Sequence, residues 1–223
     1  MAKVYLSPSN QTANTYAYGN TTEDVQCGRI AEACRKALER SGVEVMVGQY
    51  DTMAKRCANS DAFRADIHVP IHTNAFDGKV MGTRIFSYDD KGKGWQYANE
   101  VFKVLAPLSI GTSENVKPAP HLYEVKTPKA PTVYVEAEFH DSVTGAKWII
   151  EHVVDIGEAI AKGLCNALGV KFVPVQSPNT GEEMVSRAEY DELKEKYNIL
   201  QASADAFRER VQQALNIYNN GKD

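Results

Sequence analysis

No paired short cysteine spacing occurs in this chain. Cys27, Cys34, Cys57 and Cys165 stand singly, which excludes a zinc ribbon or a CxxC redox motif. Cys27 and Cys34 fall two turns apart on one expected helix, too far for a mutual disulfide, and read as reduced core residues. No apolar run reaches membrane-spanning length. The N-terminus opens straight into a strand-like Lys3-Val4-Tyr5-Leu6 with no signal-peptide pattern. The expectation is therefore synthesis in the cytoplasm, with any target outside the membrane reached by a separate route. No basic stripe runs along the sequence and the net charge is -4, so nothing points to nucleic acid. What is present, 223 residues with 43% hydrophobic and 24% charged content, suits one α/β domain with an appendage, or two small domains.

Period and turn chemistry place the elements. Val4-Tyr5-Leu6 reads as a first strand, ended by Ser7-Pro8-Ser9-Asn10-Gln11. After a polar loop, Thr21 or Thr22 caps a helix that starts near Glu23 and carries Ile30, Ala31, Cys34 and Leu38 on one side. Gly42 stops it, and strands follow at 43–47, 66–72 and 82–88, with helices at 51–63 and 95–105. Residues 107–119 read as irregular, 122–125 and 132–136 as two further strands, and 146–153 and 156–168 as helices. Strands alternating with helices imply an α/β layer fold with a mostly parallel sheet flanked by helices.

Composition changes at Phe172. The expected organisation is a core domain over 1–172, a Pro- and Ser-containing linker over 173–184, and a C-terminal heptad helix over 185–223. In that last segment Tyr190, Leu193, Tyr197, Leu200, Ala204, Phe207, Val211, Ala214 and Tyr218 follow alternating three- and four-residue steps. This is a coiled-coil seam and predicts a homo-oligomer; an amphipathic helix folded back on its own domain is the alternative.

The chemistry-bearing residues cluster in order. Asp66-Ile67-His68-Val69-Pro70-Ile71-His72-Thr73-Asn74 begins as a buried apolar strand and turns polar, leaving His72 at a sheet edge, where α/β folds keep their sites. Glu23 opens the first helix, and Glu136 ends Val133-Tyr134-Val135-Glu136. One imidazole and two carboxylates converging on one edge suit a catalytic zinc plus a base. His68 shares the strand face of His72 but lies about 13 Å away along an extended chain, and reads as a buried, hydrogen-bonded His. Asn74 is expected to tie the loop after His72 and to be a substrate contact. Glu138 is expected to face the cleft or to be a solvated strand-end charge. His121 is read either as a substrate contact or as a plain surface residue.

From Lys3 to Val173 the chain resembles the catalytic domain of the zinc-dependent N-acetylmuramoyl-L-alanine amidases, the family of bacterial autolysins and phage endolysins. Ser7-Pro8-Ser9 stands where that family has an Asp-Pro-Gly-His turn. Glu23-Asp24-Val25 stands at its glutamate ligand, and Ile71-His72-Thr73-Asn74-Ala75 at its Ile-His-Ala-Asn-Ala. Gly82 to Phe86 matches the strand that follows, and Lys129 to Glu136 the run into its catalytic glutamate. The resemblance implies an amidase-like, phosphorylase/hydrolase-type layer fold and a zinc cofactor held by Glu23 and His72, with Glu136 as general base. The implied partner is peptidoglycan, cleaved between N-acetylmuramic acid and L-alanine, with action on the cell wall after holin-type or lysis release. The family's first ligand, a His, is absent: Asn10 stands there, followed by Gln11, and no His precedes His68. An amide oxygen of Asn10 or Gln11 or a water completes the sphere, or His140 has taken over. Otherwise the site is degenerate and the protein is an inactive peptidoglycan-binding scaffold.

Overall fold

The computed structural model describes residues 1–175 and, beyond them, Glu192, Glu195, Lys196, Phe207, Arg210 and Val211. The chain divides into two compact units, Met1–Val175 and Gln176–Asp223. In the first, the elements run β1 (Lys3–Pro8), α1 (Glu23–Arg40), β2 (Glu44–Val47), α2 (Met53–Phe63), β3 (Ile67–Asn74), β4 (Arg84–Ser87), α3 (Lys93–Leu105), β5 (Lys117–Pro118), α4 (Tyr123–Lys126), β6 (Tyr134–Phe139), α5 (Val143–Glu151) and α6 (Val153–Leu168). One six-stranded sheet has the order β2-β1-β3-β6-β4-β5. All its pairings are parallel except β4 with β6.

The sheet buries both faces, in different ways. Odd positions of β3 and β6 (Ile67, Val69, Ile71, Val135, Ala137), with Val133 just ahead of β6, join α1, α3 and α6 in the main apolar core. Even positions carry His68, His72, Tyr134 and Glu136, toward the side where Arg56 of α2 and Glu124 of α4 lie. Period-two alternation thus separates packing from chemistry. Close helix approach fixes the core side: a Cβ on Gly157 of α6 would lie 2.5 Å from Ala33 Cβ of α1, so only glycine lets the two backbones meet.

Three expectations change. Lys117–Pro118, inside the stretch read as irregular, pairs with β4 as the two-residue β5. Residues 122–125 are not a strand: Tyr123–Lys126 is a short helix in which Glu124 and Val125 are buried and Tyr123 and Lys126 are exposed. A four-residue apolar run cannot tell the two by period; the burial of Glu124 against α2 decides. β6 also continues to Phe139, because β3 and β4 flank it on both sides, so Glu136 sits within the strand rather than at its end. The heptad segment lies outside the described residues except at six positions. Of its seam, Phe207 and Val211 are helical and exposed, at 68% and 42%.

Candidate active site and metal centre

β1 and β3 run parallel, and Ser9 N donates to Ile71 O at 2.8 Å, so the chain after β1 passes beside the end of β3. The polar loop then folds back: Thr15 bridges Thr22, and Glu23 N donates to Asn14 O at 2.9 Å. This delivers Glu23, the first residue of α1, to His72. The Glu23 carboxylate sits at a helix N-terminus, where the backbone dipole favours it. Thr22 is the N-cap but its hydroxyl donates to Asp24 Oδ1 at 2.5 Å, not to the helix backbone.

Glu23 and His72 form a buried pair, with Glu23 Oε1 at 2.8 Å from His72 Nδ1 and exposures of 1% and 7%. Burial works against both charges. The His72 bond and charge, with the Asn14 and Ser9 bonds, nonetheless hold Glu23 below the usual carboxylate range. Burial likewise opposes the imidazolium, and Glu23 and Glu136 outweigh it, raising the His72 pKa. The imidazole stacks on Tyr134, centroids 4.9 Å apart at 14°. Two neutral amides complete the cluster. Asn14 Nδ2 donates to Glu23 Oε2 at 2.7 Å and to Gln11 Oε1 at 3.1 Å. Gln11 Nε2 lies 3.4 Å from both Glu23 Oε1 and His72 Nδ1.

Glu136 is the register partner of His72 across β3 and β6. Its Oε2 is buried with no hydrogen-bond partner. Burial pushes its pKa up to about 7, with His72 opposing and Glu23 adding. An orphaned carboxylate oxygen beside a pair already rich in negative charge is costly unless a cation or a proton meets it. His72, Tyr134, Gln11 and Asn10 line one cleft of about 300 Å³. A larger groove of about 590 Å³, over α1 and α6, contains none of these residues; the chemistry, not the volume, marks the site.

The other expected residues fall as follows. Asn10 lines the cleft, but its amide donates to Asp51 O at 3.3 Å. His140 is hydrogen-bonded to Thr73 Oγ1 at 2.9 Å and stacks on Tyr16. The β3–β6 register slips after His72, and His140 lies beyond the end of β6, so parity counted from Glu136 no longer applies. Glu138 is fully buried rather than solvated, and its oxygens accept from Gly82 N, Ser109 Oγ and Phe139 N at 2.5, 2.5 and 2.9 Å. Burial still raises its pKa. Asn74 Oδ1 accepts from Ala75 N at 2.8 Å, tying the loop as expected. His121 is exposed ahead of α4. Sequence reasoning missed Asn14 and the Tyr134 stack; a polar Asn-rich loop carries no signal for which amide turns inward.

A second set of donors lies deeper. Cys57, His68 and Glu124 hold ligand-type atoms within 4.8 Å of one another, the one such trio of His, Cys, Asp or Glu among the described residues. Glu124 is already engaged: Oε2 pairs with Arg56 Nη2 at 2.9 Å, and Oε1 takes Ser7 Oγ at 2.5 Å and His68 Nε2 at 3.3 Å. Burial, with the Glu124 charge adding and Arg56 opposing, pushes the Cys57 thiol up to about 12.

Comparison with known proteins follows the same lines. The fold is similar to the catalytic domain of CwlV, an N-acetylmuramoyl-L-alanine amidase from Bacillus (Paenibacillus) polymyxa var. colistinus. That match has 17% identity and a TM-score of 0.69, covering 77% of this chain and 100% of that one. AmiC2 of Nostoc punctiforme, also an N-acetylmuramoyl-L-alanine amidase, matches at 18% identity and a TM-score of 0.66, over 75% and 97%. The catalytic domain of an endolysin targeting Clostridia difficile matches at 19% and 0.65, over 78% and 100%. No curated protein matches the chain. The family profile described as N-acetylmuramoyl-L-alanine amidase matches residues 8–166, spanning every element from the end of β1 into α6: this chain belongs to the N-acetylmuramoyl-L-alanine amidase family.

Proposed function

We propose that the protein is a peptidoglycan hydrolase that cleaves the amide between the lactyl group of N-acetylmuramic acid and L-alanine, with zinc as cofactor and Glu136 as proton carrier. The observation that carries this reading is the register of His72 against Glu136, with Glu136 Oε2 buried and unpartnered beside the Glu23–His72 pair. The donor chemistry suits the ion: a carboxylate and an imidazole are both zinc ligands, and the excess of carboxylate over cationic groups favours a dication. Glu23 and His72 would hold it. When bound, zinc supplies a Lewis acid and lowers the pKa of a coordinated water towards ~7.

The chain's own residues do the rest. Stacking on Tyr134 and the Glu23 bond fix the orientation of the His72 ring. Asn14 and Gln11 hold the Glu23 carboxylate by neutral donors, which leaves His72 facing two carboxyl groups, Glu23 and Glu136. Glu136, with a pKa raised to about 7, takes a proton from the attacking water and passes it to the departing amine, since a carboxyl poised near working pH transfers protons both ways. Among the described residues no helix is long and apolar enough to cross a membrane; the reading has the protein act on the wall after release from the cytoplasm. The test is incubation of the full chain with purified cell walls. Freed L-alanine amino termini, abolished by a chelator and restored by zinc, are expected. Cleavage elsewhere in the wall, or none in zinc, would end the reading.

A further inference from the structure

We infer that Gln11, through its carboxamide oxygen, is the third protein ligand of the metal site that Glu23 and His72 begin; the inference rests on the zinc reading above. Three atoms form a closed triangle. Glu23 Oε1 and His72 Nδ1 are 2.8 Å apart, and the Gln11 amide end lies 3.4 Å from each. Ligands about 2.0–2.1 Å from a tetrahedral zinc sit roughly 3.3–3.4 Å from one another, so these edges already approximate one face of such a sphere.

Protons satisfy only two edges of this triangle. Glu23 Oε1, ionised, only accepts, so the 2.8 Å contact has His72 Nδ1 donating. Gln11 Nε2 donates to the same oxygen at 3.4 Å. The third edge then sets two nitrogen donors, Gln11 Nε2 and His72 Nδ1, face to face at 3.4 Å. A cation at the centre removes the conflict, because carboxylate oxygen, imidazole nitrogen and amide oxygen then all present lone pairs inward. A half-turn of the Gln11 amide brings Oε1 to that corner. It gives up the 3.1 Å bond from Asn14 and leaves the 2.7 Å bond from Asn14 to Glu23 in place.

The competing side chains make no hydrogen bond to Glu23 or His72: the Asn10 amide turns its nitrogen to Asp51 O, and His140 is hydrogen-bonded to Thr73 and stacked on Tyr16. A neutral amide is a weaker zinc donor than imidazole. The site is therefore of moderate affinity and open to improvement at this one position.

The experiment measures zinc affinity of the full chain by competition with a chromophoric chelator, and the visible absorption of the cobalt(II)-loaded protein. Gln11→Ala should weaken zinc by at least the roughly 10–100-fold that loss of an outer-sphere partner costs. Gln11→His should tighten it above wild type and shift the cobalt bands, which a merely structural role for Gln11 would not do. Asn10→Ala and His140→Ala should leave affinity unchanged. If zinc binds in a Glu23-dependent way but Gln11→Ala leaves affinity unchanged, or Gln11→His fails to tighten it, the Gln11 assignment is overturned while the zinc reading stands. If neither the wild type nor Gln11→His binds zinc, the zinc reading itself falls.

Discussion

Two imidazoles rise from the same face of β3, and each meets a tyrosine ring and a carboxylate, to different ends. His68 stacks on Tyr5 and contacts Glu124; His72 stacks on Tyr134 and contacts Glu23. The difference lies in what else reaches the carboxylate. Glu124 is paired with the Arg56 guanidinium, both at 2% exposure, so its charge is matched within the fold. Beyond His72, Glu23 receives only neutral donors, from Asn14, Gln11 and Ser9, and Glu136 adds a second carboxyl with an orphaned oxygen. The Cys57, His68 and Glu124 trio has the donor types of a metal site, but a dication there must displace Arg56 and deprotonate a thiol whose pKa is about 12. On the zinc reading, carboxyl groups in excess of cationic partners, rather than donor proximity, separate the site of Glu23 and His72 from the trio that holds the fold.

The largest expected effect is at Glu136. Glu136→Gln should cost about 10²–10⁴-fold in wall lysis while zinc content and thermal unfolding stay as in the wild type; full lysis by the variant would break the assignment of the base.

At the His68 site the same kind of change should act on stability instead. Glu124→Gln leaves Arg56 buried and unpaired and should destabilise the protein by about 3–5 kcal/mol, measured by urea unfolding, with zinc stoichiometry unchanged. Loss of zinc in this variant would move the metal to the deeper trio. The pH dependence follows from the sign of the shift. Burial opposes the Glu124 charge, but His68, Ser7 and Arg56 outweigh it and hold its pKa below the ordinary 4.5. Its contribution is therefore present above that value and lost as pH falls below it. The stability gap between wild type and Glu124→Gln should narrow through that window. A gap that widened on acidification would show that the charge is not what Glu124 contributes.

The smallest effect on chemistry belongs to the C-terminal segment. Removing residues after Val175 should lower the number of chains per particle found by light scattering, if Phe207 and Val211 pair between chains, and leave cleavage of soluble wall fragments near wild type. An unchanged number of chains per particle would show that the seam does not assemble the protein.

Much of this was legible in the chain itself. Periodicity located most strands and the main helices, because a core strand such as 67–72 keeps an apolar residue at every second position and an amphipathic helix must repeat every three to four residues. The order of Glu23, His72 and Glu136 along the chain, with the family resemblance, is what points to the zinc and glutamate chemistry proposed above. Parity failed where register did: beyond the slip between β3 and β6, residues counted from Glu136 no longer share its face, so Glu138 and His140 went into the fold's own hydrogen bonds. The four-residue α4 escaped because its reason for being helical, the burial of Glu124 against Arg56, is 68 residues away in the chain at its partner.

The sequence by itself determined which residue types were available and which elements carry them, since propensity and period are local properties. Only the tertiary structure decided which neutral amide turns inward beside His72. That choice depends on a loop closing from Asn14 onto the N-terminus of α1 and on β1 lying against β3, contacts that no local pattern in the Asn-rich loop encodes.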